Sequence, residues 1–215
     1  MSLLYVKVVK QNVNILVINY CCIKYANIIL FQIYWRGKMK KILFILAGLF
    51  VIMHALMAQT KDKKILVVYY SRTGTTAQIA RYIQESTNAD IFEIIPVNAY
   101  PDNYDSMTEQ AKKEINEGYL PPIKGGVSNI SDYDVIFIGS PCWWSTIAPP
   151  VSTFLSQHDL VGKTVVPFST HGGSGLANNA IDTAKKAKGA KTLDGQAFRN
   201  ASEQDVKNWL NSFTF

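Results

Sequence analysis

From Lys64 onward, short apolar runs alternate with stretches of helical period. Residues 65–70 (ILVVYY) form the continuous apolar run of a strand buried on both faces. Residues 76–86 then place Ile79, Ala80 and Ile83 on one helical face. A second strand is predicted over 91–95, and a charged helix over 105–117, ended by Gly118 and Pro121-Pro122. Residues 134–139 (DVIFIG) predict a third strand, followed by a helix holding Val151, Phe154 and Leu155. Residues 164–169 predict a fourth strand. The helix over 175–188 carries a stripe of Leu176, Ala177, Ala180, Ile181 and Ala184. Residues 192–199 are more polar, as an edge strand is. Ser202 and Asp205 have the spacing of a helix cap, and the helix they open offers Val206, Trp209, Leu210 and Phe213 for burial. One long irregular stretch, 118–132, is either a mobile loop or part of a substrate rim.

Apolar strands separated by amphipathic helices predict an α/β domain, a parallel sheet covered on both faces with right-handed connections. Ligands of such sheets sit beyond the carboxyl ends of the strands, and three strand ends here carry unusual loops. After the first strand comes Ser71-Arg72-Thr73-Gly74-Thr75-Thr76. Backbone N–H groups at a helix start form an anion nest, and four hydroxyls add donors. Neither Gly-Lys-Ser/Thr nor G-x-G-x-x-G occurs, so a triphosphate or dinucleotide loop is excluded and a phosphate monoester fits. The alternative is a hydroxyl-rich turn that only caps the helix.

After the third strand comes Gly139-Ser140-Pro141-Cys142-Trp143-Trp144-Ser145-Thr146. Adjacent tryptophans on such a loop cannot easily both face the core, so one is expected to anchor the loop and the other to offer a flat face to a conjugated ring. After the fourth strand comes Ser169-Thr170-His171-Gly172-Gly173-Ser174-Gly175, whose glycines allow close backbone approach. His171 either meets a ligand or satisfies loop carbonyls. Together the three loops describe a site for a phosphorylated, flat, polar-edged ring system. No metal site is expected, and no catalytic residue is assigned.

These loops resemble those of flavodoxins. Ser71-x-Thr73-Gly74-x-Thr76 is similar to their phosphate loop for flavin mononucleotide (FMN). Pro141-Cys142-Trp143-Trp144 resembles the loop flanking the isoalloxazine ring, and residues 169–175 resemble the third flavin loop. The likeness runs from about residue 64 to 213 and is strongest to a subgroup with paired Trp and a Gly-Gly-Ser-Gly third loop. It implies a doubly wound sheet of five parallel strands in the order 2-1-3-4-5, with FMN as cofactor. It further implies Ser71, Thr73 and Thr76 hydroxyls on the phosphate, assisted by amides of Arg72 to Thr76, including Gly74 and Thr75. Trp143 takes the place of the stacking aromatic. By the same resemblance Pro141, Cys142, Trp144, Ser145, Thr170, His171, Gly172, Gly173 and Ser174 complete the cofactor site. Three departures stand out. The third loop lacks an aromatic, the domain is not strongly acidic, and Ser145 stands where the subgroup often has Gly. A peptide flip in this loop accompanies one-electron reduction in flavodoxins, and a non-Gly residue raises its cost.

Charge changes the picture once the chain is divided. The whole carries +6, but residues 1–58 hold seven Lys/Arg and no acid. Residues 59–215 hold 15 basic and 16 acidic residues, a net of −1. A near-neutral domain argues against a nucleic-acid partner. Met39-Lys40-Lys41, then 17 mostly apolar residues (42–58) ending at Ala58, has the form of a secretory signal peptide, short of the roughly 20 residues of a membrane span. Residues 1–38, in which Ile, Asn, Lys and Tyr fill 18 positions, are read as an extension upstream of a start at Met39. The expected organisation is thus 1–38 extension, 39–58 signal peptide, and 59–215 an exported, periplasmic domain that is not membrane-embedded. Cys142 is then the single cysteine of the domain, which excludes an internal disulfide.

The expected function is electron transfer by an FMN flavoprotein, to a redox partner protein or a small-molecule acceptor. The alternative is an NAD(P)H-dependent quinone or small-molecule oxidoreductase, which Thr170-His171-Gly172-Gly173 also resembles, with Tyr100, Tyr104 and Tyr119 lining a substrate pocket. A third class keeps the fold without the flavin, and the intact hydroxyls of the first loop argue against it.

Overall fold

The computed structural model describes residues 63–213. The extension and signal peptide expected over 1–58 lie outside these residues. The first apolar run forms β1 (Ile65–Tyr69), and its side chains divide the core in two. Leu66 and Val68 belong to one hydrophobic cluster, Val67 and Tyr69 to another. Such a split is what period-2 alternation in a doubly covered strand produces. The same division continues through β5 (Val135–Trp143), with Ile136 and Ile138 on one side and Val135 and Phe137 on the other.

Helices supply the two outer layers. α1 (Thr75–Thr87) and α5 (Glu203–Leu210) cover the Val67 side through Ile79, Ala80, Ile83, Val206 and Leu210. α2 (Tyr104–Glu117) and α3 (Pro149–Gln157) cover the other through Met107, Ala111, Val151, Phe154 and Leu155. Ser202 and Asp205 form a reciprocal capping box at the start of α5.

The main sheet runs β2 (Asp90–Glu93), β1, β5, β7 (Thr164–Thr170), β8 (Lys191–Thr192), all paired in parallel. β9 (Gln196–Phe198) also pairs β7 in parallel, so the run expected as one edge strand over 192–199 is two short pieces. At the centre of the sheet, Gly139 lies against Phe168, its register partner. A Cβ on Gly139 would sit 2.2 Å from Phe168 Cζ, so only glycine fits there.

Four further segments differ from the sequence expectation. The second strand breaks after Glu93, and β3 (Ile95–Pro96) leaves the sheet to pair antiparallel with β4 (Ile123–Lys124). That ribbon orders part of the stretch expected to be irregular over 118–132. β5 runs four residues beyond Gly139, because β6 (Thr146–Ile147) folds back and pairs with its end. α4 spans Asn179–Lys186 rather than 175–188, since Gly175 (φ 65°) and Ala177 (φ 45°) are left-handed and cannot continue a helix. Its buried face is Asn179, Thr183 and then Ala187, whereas Ile181 is 54% exposed.

Candidate cofactor site

The first loop turns on Gly74, whose φ of 87° is a conformation open to glycine at no steric cost. Ser71 Oγ accepts the Gly74 N–H at 3.1 Å and braces the turn. Among the described residues no side chain caps α1 and its first turn holds no acid, so the N–H groups opening the helix are available to an anion. Thr73 and Thr75 are exposed with hydroxyls 3.3 Å apart. Thr76 is buried and its hydroxyl meets that of Thr170 at 2.7 Å, tying the first loop to the third. Arg72 is turned aside, Nη2 donating to the carbonyls of Pro101 (2.9 Å) and Asp102 (2.6 Å).

The second loop is a two-residue hairpin turn between β5 and β6. Trp144 (φ 50°) and Ser145 (φ 66°) both occupy the left-handed region, as a type I′ turn requires. The turn is held from outside: the Ser145 carbonyl accepts the Asn178 N–H at 2.9 Å, and the Thr146 hydroxyl donates to Asp182 at 2.5 Å. Trp143, the last residue of β5, is half-buried and packs edge-to-face on Tyr70 (5.5 Å) and Tyr100 (4.9 Å). Trp144 is 52% exposed. Its indole N–H donates to the Thr108 carbonyl of α2 at 2.9 Å, and Lys112 Nζ lies 4.6 Å over its ring. Each tryptophan therefore has a protein anchor, Trp143 inward and Trp144 along α2.

Below Trp143 the Tyr100 hydroxyl donates to the buried carboxylate of Glu114, which also accepts from Gln110 Nε2 at 2.8 Å. Burial, followed by this hydrogen bond, raises the Tyr100 phenol above its ordinary range. Burial likewise pushes Tyr70 up to about 12, with Arg72 opposing. Both phenols are neutral at physiological pH and serve as packing.

In the third loop His171 Nδ1 accepts the Gly175 N–H at 2.9 Å, which puts the ring proton on Nε2. The His171 backbone N–H donates to the Phe198 carbonyl at 3.3 Å. His171 thus does satisfy its loop, though an N–H rather than a carbonyl, and it also faces the ligand side.

One cavity of about 580 Å³ joins the three loops. From the first come Arg72, Thr73, Thr75 and Thr76, from the second Pro141, Cys142, Trp143 and Trp144, and from the third Thr170, His171 and Gly172. Ser71, Gly74, Ser145, Gly173 and Ser174 shape these loops without lining that cavity. Tyr104 lines it, Tyr100 is buried beneath Trp143, and Tyr119 is exposed outside it. Two groups of lining residues carried no local signal: Met107, Thr108 and Ala111 on α2, and Phe198, Arg199 and Asn200 after β9. Packing, not a motif, brings them there. Among the described residues no helix is long and apolar enough to cross a membrane.

A mainly parallel sheet whose loops converge on one cavity at its carboxyl edge defines a doubly wound, ligand-holding α/β protein. The chain belongs to the flavodoxin family, whose model, described as Flavodoxin, matches residues 64–213. Among solved structures it is similar to a protein of Bacteroides eggerthii described as a flavoprotein, at 35% identity and a TM-score of 0.64, covering 70% of this chain and 97% of that one. A Bacteroides uniformis protein described in the same way is 30% identical, with a TM-score of 0.65 and coverage of 70% and 99%. A Lactobacillus acidophilus flavoprotein in complex with FMN is 24% identical, with a TM-score of 0.59 and coverage of 69% and 99%, a likeness of fold. No curated protein matches the chain.

Proposed function

We propose that this domain is an exported FMN flavoprotein of the flavodoxin family that carries electrons to a redox partner protein or a small acceptor. The cofactor is FMN. The observation that carries this is one continuous cavity running from an uncapped helix start, with exposed Thr73 and Thr75, to an indole-lined wall at Trp143 and Trp144. A phosphate suits the first end and a flat conjugated ring the second. The family and its flavoprotein relatives support the same reading.

Bound FMN supplies the redox chemistry, exchanging electrons one or two at a time. The chain's own residues bind and orient it. Hydroxyls of Ser71, Thr73 and Thr76 and amides within residues 72–76 would hold the phosphate, the Gly74 N–H exchanging its present partner, Ser71 Oγ, to take part. Thr170 supports Thr76 from below, as their 2.7 Å contact allows. Trp143, fixed by Tyr70 and Tyr100, presents the stacking surface, and Trp144 closes the cavity against α2. Counted over its five principal strands, the sheet is assigned the order 2-1-3-4-5, in the subgroup with paired Trp and a Gly-Gly-Ser-Gly loop. Export rests on the basic and apolar run 39–58 ahead of polar residues.

A second reading, an NAD(P)H-dependent reductase, is favoured by one feature. Tyr104, Met107 and Ala111 add a partly apolar wall from α2, where a small acceptor would have room beside the ring. Stopped-flow mixing of the FMN-loaded protein with NADH or NADPH separates the two, with fast reduction expected only of the reductase. Titration of the flavin-free protein with FMN tests the shared premise, and absence of binding at micromolar FMN would remove both. N-terminal sequencing of the native protein is expected to begin near Gln59, and a start at Met1 or Ser2 would refute export by this signal.

A further inference from the structure

The charge on the cavity wall is one-sided. In a domain that nets −1, two arginines and no Asp or Glu line the cavity. Arg72 is committed elsewhere, its Nη2 holding the carbonyls of Pro101 and Asp102. Arg199 differs. It is exposed, and among the described residues it makes no hydrogen bond or ion pair. A short chain of contacts relates it to the first loop. Thr76, the second residue of α1, touches Thr170 by its hydroxyl, and Thr170 is the register partner of Phe198 on the adjacent strand. Neighbouring strands lie about 4.8 Å apart. Arg199 follows Phe198 directly, so its long side chain starts one strand away from the start of α1.

We infer that Arg199 supplies the positive charge met by the cofactor phosphate, a binding residue outside the three motif loops. The inference rests on the FMN reading above. The first loop offers neutral donors and a helix start, which stabilise an anion without neutralising it. A phosphate monoester carries close to two negative charges at pH 7. An exposed guanidinium entering from just after β9 forms charge-assisted hydrogen bonds to phosphate oxygens that hydroxyls cannot equal. Because Arg199 has no partner among the described residues, no hydrogen bond or ion pair described within the protein has to break for it to do so. Riboflavin, with the same ring and no phosphate, gains nothing from it.

The test uses the full chain stripped of flavin, titrated with FMN and with riboflavin by flavin fluorescence, at low and high ionic strength. Arg199→Gln is expected to weaken FMN by about tenfold at low salt and leave riboflavin within about twofold. Arg199→Lys should recover most of the loss. The native protein's preference for FMN should also fall with salt more steeply than that of the glutamine variant. Equal losses for the two ligands, or a glutamine variant indistinguishable from the native protein, would overturn the assignment. If Arg199→Gln does not fold, as thermal melting reads, the lysine variant and the native salt dependence decide by the same criteria. A native protein that binds FMN no better than riboflavin would remove the phosphate reading itself, before any variant is compared.

Discussion

Replacing Trp143 and Trp144 by alanine, one at a time, separates the packing of the second loop from its contact with the ring. Trp143 is half-buried and meets Tyr70 and Tyr100 edge-to-face at 5.5 and 4.9 Å. A Trp→Ala change in a closed core costs about 3–5 kcal/mol, and partial exposure here brings the expectation to about 2–4 kcal/mol. Trp144 has less to lose. Its hydrogen bond to Thr108 is worth about 0.5–1.5 kcal/mol, and an exposed cation–π contact such as that with Lys112 about 0.5–1 kcal/mol. Alanine inherits the positive φ of position 144, so no strain is released, and the expected loss is about 1–2 kcal/mol. Urea unfolding of the flavin-free protein measures both. With FMN bound, Trp143→Ala should raise flavin fluorescence and shift the reduction potential with a small loss of affinity, because a stacked aromatic pair contributes only about 0.5–1.5 kcal/mol beyond burial. Trp144→Ala should change fluorescence little. If Trp144→Ala costs more stability than Trp143→Ala, the inward anchor is misassigned. If only Trp144→Ala dequenches the flavin, the stacking surface is the next residue along.

Three other perturbations test the frame around the site. Ser145→Gly should raise stability by about 0.5–1 kcal/mol, because it relieves roughly 1–2 kcal/mol of left-handed strain and gives back about 0.4–1 kcal/mol of unfolded-chain entropy. A lower melting temperature would show that the turn is not strained. Gly139→Ala should cost about 3 kcal/mol or more by driving a methyl to 2.2 Å from Phe168 Cζ, and a loss under about 1 kcal/mol in chemical denaturation would mean that the ring can swing aside. Thr183→Val should stabilise the fold by about 1 kcal/mol, since the Thr183 hydroxyl is buried without a partner among the described residues. Destabilisation by this nearly isosteric change would reveal a partner for that oxygen.

Burial on both faces leaves a signature that survives in one dimension, which is why β1, the start of β5, β7 and the face of α1 were legible as apolar runs and a helical stripe. The three ligand loops were legible for a related reason: each follows a strand directly, so sequence adjacency and spatial adjacency coincide. Where the two part, the sequence was silent. The hairpin that extends β5 to Trp143 depends on Asn178 and Asp182, over 30 residues away, to hold Ser145 and Thr146. The ribbon of β3 and β4 joins segments whose pairing no local pattern announces. In α4 periodicity misled, because the helix buries Asn179 and Thr183 while Ile181 stays exposed. The sequence by itself determined the central strands, the covering helices other than α4 and the chemistry of three loops, all properties of neighbours along the chain. Only the tertiary structure decided that α2 walls the cavity and that Arg199 reaches it from β9, because both follow from which elements lie side by side in the packed sheet.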